Sequence, residues 1–163
     1  MTNDPAATPS DITAERVREI RRRRRLSVGD LAAVCAAVGY PELTGQAIYN
    51  IESGRRVQGR RRRTVSVDEL LALALALNAS PVDLLVPPEA WDGEGGELLY
   101  HITPTRAEQT STVREWVRGM PLPGDLRARV LDFVTQAPEH ELAELLERVA
   151  ERDRAEQEPD KEE

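Results

Sequence analysis

The stretch "LSVGDLAAVCAAVGYPELTGQAIYNIESGRR", residues 26 to 56, decides how this chain folds. Ser27 can cap a helix over about 28 to 38, in which Leu31, Val34, Cys35 and Val38 recur at steps of three and four residues. Gly39-Tyr40-Pro41 stops it, because glycine accepts the left-handed backbone of a helix exit and proline cannot continue a helix. Thr44 then starts a second short helix over 45 to 53, with Ala47, Ile48 and Ile51 on its inner face and Gly54 at its exit. The order is helix, turn, helix. Cys35 falls within the apolar series and reads as core filler.

Upstream, a lead over 1 to 11 rich in Pro, Ala and Thr reads as disordered, and Thr13 can cap a helix running through Val17 and Ile20 into five arginines, Arg21 to Arg25. Downstream, a basic loop over 55 to 65 leads into Ser66-Val67-Asp68-Glu69, a capping box that opens the most apolar helix, 67 to 78. Ser80 then caps a last short turn, with Pro81 at the first helical position where its missing N–H costs nothing. These elements make one five-helix unit over 12 to 86.

A Pro-, Gly- and acid-rich linker over 87 to 96 follows. The extension over 97 to 155 reads as mostly helical, with a short strand at 97 to 103 and helices at 112 to 118, 125 to 136 and 139 to 155. An acidic disordered tail occupies 156 to 163. The fold class is therefore all-α.

Composition agrees: 40% of residues are hydrophobic but only 4% aromatic, so the apolar content lies in Leu, Ala and Val, which suit helices. The net charge of -7 conceals two halves: residues 11 to 63 carry 13 arginines against six acids, and residues 64 to 163 carry nine basic residues against 22 acidic ones. A basic half points to a polyanion, and the acidic half opposes indiscriminate sticking to it. The longest apolar run, Leu70 to Leu77, falls short of the roughly 20 residues of a membrane span. The start MTNDPAATPS has neither a basic n-region nor an apolar h-region, which points to the cytoplasm.

The segments "LSVGDLA" (26 to 32), "IESGRR" (51 to 56) and "VDELLALALALNASPVDLL" (67 to 85) resemble the Xre/Cro family of phage-repressor-like DNA-binding domains, in its actinobacterial form. The resemblance covers about residues 13 to 86, and "YHITPTRAEQTSTVREWVRGMPLP" (100 to 123) looks like the extension that often follows such domains. It implies a helix-turn-helix whose third helix lies in the major groove of double-stranded DNA, with Thr44, Gly45, Gln46, Tyr49 and Asn50 facing the bases. Gln46 and Asn50 are amides, able to bridge adenine N6 and N7. At Gly45 the sequence departs from the pattern, in which a side chain is commoner.

By the same resemblance, Arg55 and Arg56 leave the third helix where such domains touch backbone phosphate, joined by Ser27 at the start of the second helix. The following "VQGRRRR" looks like an insertion, and its Arg60, Arg61, Arg62 and Arg63 read as a phosphate clamp; the alternatives are a solvated loop or a segment that pairs with the acidic half. The family pattern also pairs an arginine of the first helix with a glutamate of the third. Here these are Arg21 and Glu52, whose role would be structural. The other members of the arginine run point around the helix and cannot all meet DNA.

The implied function is a sequence-specific transcriptional regulator, nucleoid-associated when bound to DNA. An alternative is an antitoxin or anti-regulator whose acidic C-terminal half binds a partner protein. Catalysis is not expected: Asp92, Glu94 and Glu97 sit in a Gly-rich linker, and His101, His140 and Cys35 have no metal-ligand or triad spacing. "GEGG" lacks the Gly-Lys-Ser/Thr of a phosphate loop, so no cofactor and no metal are expected. Tyr100 with Trp116 reads as core, the alternative being a small-molecule pocket. A homodimer is expected, because one such helix reads only a few base pairs. Leu126, Val130 and Phe133 on one helix, and Leu142, Leu145, Leu146 and Val149 on the next, supply an apolar stripe for pairing, or for folding back within the chain.

Overall fold

The computed structural model describes residues 7–54, 56–57, 60–61, 63–88, 98–123 and 127–157, with the backbone alone for 56, 57, 60, 61, 127–129, 153, 156 and 157. Among the described residues lie eight helices: α1 Pro9–Arg23, α2 Val28–Ala37, α3 Gly45–Glu52, α4 Val67–Ala76, α5 Pro81–Leu85, α6 Thr110–Val117, α7 Arg127–Val134 and α8 Glu139–Gln157. Two antiparallel hairpins accompany them, β1 Arg56–Val57 with β2 Arg60–Arg61, and β3 Leu99–Thr103 with β4 Arg106–Gln109. The chain is mostly helical; β3 falls on the short strand expected at 97 to 103, while its partner β4 and the β1–β2 pair were not expected. Two compact units form, Met1–Thr110 and Ser111–Glu163.

The first helix begins earlier than Thr13 suggests. Thr8 accepts from the Asp11 amide at 3.2 Å and its own amide donates to Asp11 Oδ2 at 3.0 Å, a capping box with Pro9 at the first helical position. Thr13 is buried inside the helix. The lead expected to be disordered over 1 to 11 is therefore ordered from Thr8 at least; residues 1–6 lie outside the described set.

Several helix ends share one device. The Arg25, Gly39, Asn78 and Gly119 residues adopt left-handed backbone, with φ of 57°, 95°, 42° and 97°. After each, an amide reaches back along the chain to a carbonyl of the helix: Leu26 to Arg21 at 3.0 Å, Tyr40 to Cys35 at 2.9 Å, Ala79 to Ala74 at 2.9 Å and Met120 to Glu115 at 3.0 Å. These bonds satisfy carbonyls that the helix leaves without an internal partner.

In the first unit the core gathers Val17 from α1, Leu31 and Cys35 from α2, Leu43 from the α2–α3 turn, Ile48 and Ile51 from α3, Leu73 and Leu77 from α4 and its exit, and Leu84 from α5, all fully buried. Truncating any of these leucines to alanine costs about 2 to 5 kcal/mol. Ser27, Thr44 and Ser66 cap α2, α3 and α4 through their side chains as read from the sequence, whereas Ser80 occupies the cap position of α5 with no side-chain cap bond.

The β3–β4 hairpin falls in this unit, Met1–Thr110. The Tyr100 hydroxyl donates to the Leu85 carbonyl at 3.0 Å, and Thr110 Oγ1 donates to the Leu98 carbonyl at 2.7 Å. Tyr100 and Trp116 thus fall in different units. Most of the expected linker, 89 to 96, together with residue 97 lies outside the described residues.

In the second unit α7 and α8 pack around Met120, Val134, Leu145 and Val149, with Val130, Ala137 and Leu142 against them. Much of the apolar stripe read from the sequence is therefore consumed in a core of its own unit. Leu131 and Leu146 stay exposed, and Leu126 lies outside the described residues. Glu115 receives Arg148 at 3.0 Å and Arg118 at 3.4 Å. No helix among the described residues is long and apolar enough to cross a membrane.

Candidate nucleic-acid interface

The candidate surface is built on α3, whose eight residues divide cleanly between two sides. Ala47, Ile48 and Ile51 are buried, and Gln46, Tyr49 and Asn50 are exposed, Tyr49 at 60%. Thr44 is exposed at the N-cap, where its Oγ1 accepts from the Ala47 amide at 3.2 Å. The structure therefore brings Thr44, Gln46, Tyr49 and Asn50 onto one outward row. Gln46 Nε2 donates to Asn50 Oδ1 at 3.0 Å, which holds the two amides one turn apart.

Gly45 is half-buried at the head of that row. A Cβ built on it would meet only the Val28 Cγ1 methyl, at 3.8 Å, and its φ is not positive. Neither packing nor backbone requires glycine there.

What fixes α3 against α1 is Arg21. Its Nε and Nη2 donate to Glu52 Oε1 and Oε2, each at 2.6 Å, and its Nη1 donates to the Leu26 carbonyl at 2.8 Å. The two side chains are 10% and 7% exposed. Hydrogen bonding to Glu52 raises the Arg21 pKa above its ordinary value, against the opposing effect of burial. Such a forked pair fixes orientation as well as distance, which a lysine would not do.

The arginine run divides as helical geometry requires. Arg21 turns inward, Arg23 pairs with Glu19, and Arg24 donates to the Asn78 carbonyl at 3.2 Å. Arg22 and Arg25 are exposed, and among the described residues they have no ion-pair partner. Sequence reasoning did not single out these two; their signal was position, one and four residues past the inward arginine.

The segment after α3 is a hairpin where a plain loop was expected, with Arg56 opposite Arg61 and Val57 opposite Arg60. Arg55 and Arg62 lie outside the described residues, as do the side chains of Arg56, Arg60 and Arg61. Arg63 pairs with Glu69, whose carboxylate also accepts from the Ser66 amide at 3.0 Å. Arg63 therefore anchors the end of the basic segment on the start of α4. Ser27 is likewise engaged: its Oγ accepts from the Asp30 amide at 3.0 Å, and its own amide donates to Asp30 Oδ2 at 2.8 Å. Hydrogen bonding to the Asp30 carboxyl from the Ser27 side chain, and then from its amide, holds that carboxyl below its usual pKa.

No protein-family model matches this chain, and neither a curated protein nor a solved structure matches it.

Proposed function

We propose that this chain is a sequence-specific double-stranded DNA-binding regulator of transcription of the Xre/Cro kind, with α1 to α5 as its DNA-binding domain and α2 and α3 as its helix-turn-helix. The observation that carries the reading is the outward row Thr44, Gln46, Tyr49 and Asn50 on a helix locked from behind by the Arg21–Glu52 fork. An α-helix with its side chains is about 10 to 12 Å across, and the major groove is about 12 Å wide. Gln46 and Asn50 present donor and acceptor together, the pattern that matches an adenine edge. Tyr49 offers its ring to a thymine methyl or its hydroxyl to a phosphate.

Affinity comes from cations at the exit of α3. Arg55, Arg56, Arg60, Arg61 and Arg62, with Ser27 at the head of α2 and exposed Arg22 and Arg25 on the α1 side, serve phosphates. Arg63, held by Glu69, positions the segment rather than contacting DNA. Two copies occupy one duplex, at half-sites about one helical turn apart.

The test is selection of duplexes from a random pool by the full chain, repeated with Asn50→Ala. The reading expects one enriched motif for the wild type and relaxed preference at one position of it for the variant. Enrichment of no motif would remove the sequence-specific reading.

A further inference from the structure

Two hydroxyls share one sequence context. "RRLSV" (24 to 28) and "RRRTV" (61 to 65) each place arginines two and three residues ahead of a Ser or Thr and a valine after it. Cations ahead of a hydroxyl are what the acidic cleft of a protein kinase selects by charge.

The fold separates the two. Ser27 is the N-cap of α2 and is engaged with Asp30 from both sides, its Oγ accepting from the Asp30 amide and its own amide donating to Oδ2. The arginines before it are turned back onto the first unit: the Arg25 amide donates to the Arg22 carbonyl at 2.9 Å, and the Arg24 side chain donates to the Asn78 carbonyl at 3.2 Å. A cleft that reads an extended chain cannot follow that path. Ser66 is engaged in the same way as Ser27, its Oγ accepting from the Glu69 amide at 3.2 Å as the cap of α4.

Thr64 differs on each point. It is exposed, between β2 and α4 and in neither helix nor strand, and among the described residues its hydroxyl has no hydrogen-bond partner. Upstream, Arg60 and Arg61 are in β-strand, in a ladder of only two residue pairs. On either side the chain is anchored, Arg63 by Glu69 and the Val65 amide by Ser10 Oγ at 3.1 Å.

We infer that Thr64 is a phosphorylation site for a Ser/Thr protein kinase that selects arginine ahead of its acceptor, and that phosphate there lowers the affinity of the chain for DNA. The second half rests on the DNA-binding reading above. In the transfer, Thr64 Oγ1 bonds to the γ-phosphorus of ATP and the bond from that phosphorus to the β,γ-bridging oxygen breaks. ADP leaves, and the hydroxyl proton passes to the catalytic carboxylate of the kinase. The product carries about -1.5 to -2 charges at pH 7. It follows Arg60, Arg61, Arg62 and Arg63 directly in the chain, so arginines that would serve DNA phosphates meet a phosphate of their own chain, and the dianion repels the duplex. The base-facing row of α3 is untouched, so affinity falls for all duplexes alike.

The experiment uses the full chain, MgATP and, as a kinase of this selectivity, the catalytic subunit of cyclic-AMP-dependent protein kinase, with the phosphate located by mass spectrometry. The wild type should take up one phosphate, on Thr64, and Thr64→Ala none. At about 150 mM salt the phosphorylated chain should bind the enriched motif and its scramble each at least about tenfold more weakly, their ratio staying within about twofold. Kinase-treated Thr64→Ala should keep the affinity of the untreated chain. The chain recovered from its own cells should carry phosphate on Thr64. Phosphate on Ser27 or Ser66 in place of Thr64, or none on Thr64 in the cell, overturns the site. Unchanged DNA affinity of the fully phosphorylated chain overturns its effect. A chain that takes up phosphate on Thr64 but binds no duplex beforehand is a different result: it removes the DNA-binding reading and supports the site.

Discussion

Arg21 and Glu52 meet in a two-pronged pair, with both N···O distances at 2.6 Å, and through it the start of the chain's first basic run is tied to the end of α3. The pair faces protein on nearly every side, so removing either partner strands the other. Arg21→Ala and Glu52→Ala should each cost about 3 to 5 kcal/mol in chemical denaturation, and the double variant should cost less than their sum. Arg21→Lys should fail to restore stability, since it loses the fork and the bond to the Leu26 carbonyl. Because its partner raises the Arg21 pKa above its already strongly basic ordinary value, the guanidinium stays charged at every pH where the protein is studied, and its contribution is not lost on the alkaline side.

Two glycines should respond to alanine in opposite directions. At Gly39 the backbone has φ +95°, and an added Cβ would meet nothing within 4 Å, so the cost of Gly39→Ala is purely that of left-handed backbone, about 1 kcal/mol. At Gly45 the backbone is ordinary and the only neighbour is a methyl at 3.8 Å, so Gly45→Ala should gain about 0.5 kcal/mol through the unfolded chain. Thermal unfolding of the two variants checks both signs. Gly45→Ala should also alter the enriched motif, because it adds a methyl to the outward row.

Tyr100 gives the fold an alkaline limit. Burial pushes its phenol from 10.0 up to about 12, so the folded state favours the neutral form. A raised folded value means that the contribution is fully present below pH 10 and is lost as pH rises toward 12, at a slope of at most about 1.4 kcal/mol per pH unit. Tyr100→Phe should be less stable than wild type at pH 8 by about 1 kcal/mol, for want of the bond to the Leu85 carbonyl, and should show a shallower decline above pH 10. Equal slopes would mean that the phenol ionises freely in the folded state.

Much of the first unit could be read in the chain because its signals are local. Ser66 with Glu69, the Thr44 cap and the exit at Gly39 are decided within four residues, and the structure has them. The exposed side of α3 followed from the spacing of Ala47, Ile48 and Ile51 alone. Thr8-Pro9-Ser10-Asp11 carries the same kind of signal as Ser66 to Glu69, but the Pro- and Thr-rich lead around it suggested disorder. The β3–β4 hairpin was half missed because "RAEQ" carries no large apolar residue, and its pairing depends on Leu99 to Thr103 across a turn. The pair between Arg63 and Glu69, six residues on at the start of the next helix, was not read from the sequence. The resemblance, and not periodicity, supplied the Arg21–Glu52 pair, since a contact between α1 and α3 leaves no trace in local spacing.

The phosphate-serving residues should separate from the base-facing ones in their salt response. Changing Arg60, Arg61 and Arg62 to Ala should weaken binding to all duplexes alike and flatten the slope of log affinity against log salt by roughly 0.9 for each phosphate no longer neutralised. Gln46→Ala should leave that slope unchanged while reducing the gap between preferred and scrambled duplexes. Identical behaviour of the two variants would mean that the surface does not divide as described.

The central claim is that the outward row of α3 reads base sequence in duplex DNA. Equilibrium fluorescence anisotropy at about 150 mM salt, with the full chain and labelled duplexes carrying either the enriched motif or a scramble of it, tests this most directly, salt being fixed because phosphate contacts make affinity depend on it. The account predicts that the motif binds at least about 1,000-fold more tightly than the scramble, the lower bound for specific recognition, and that Gln46→Ala/Asn50→Ala removes most of that ratio with the melting temperature unchanged. Equal affinity of the wild type for motif and scramble, or an unchanged ratio in the folded double variant, would contradict it.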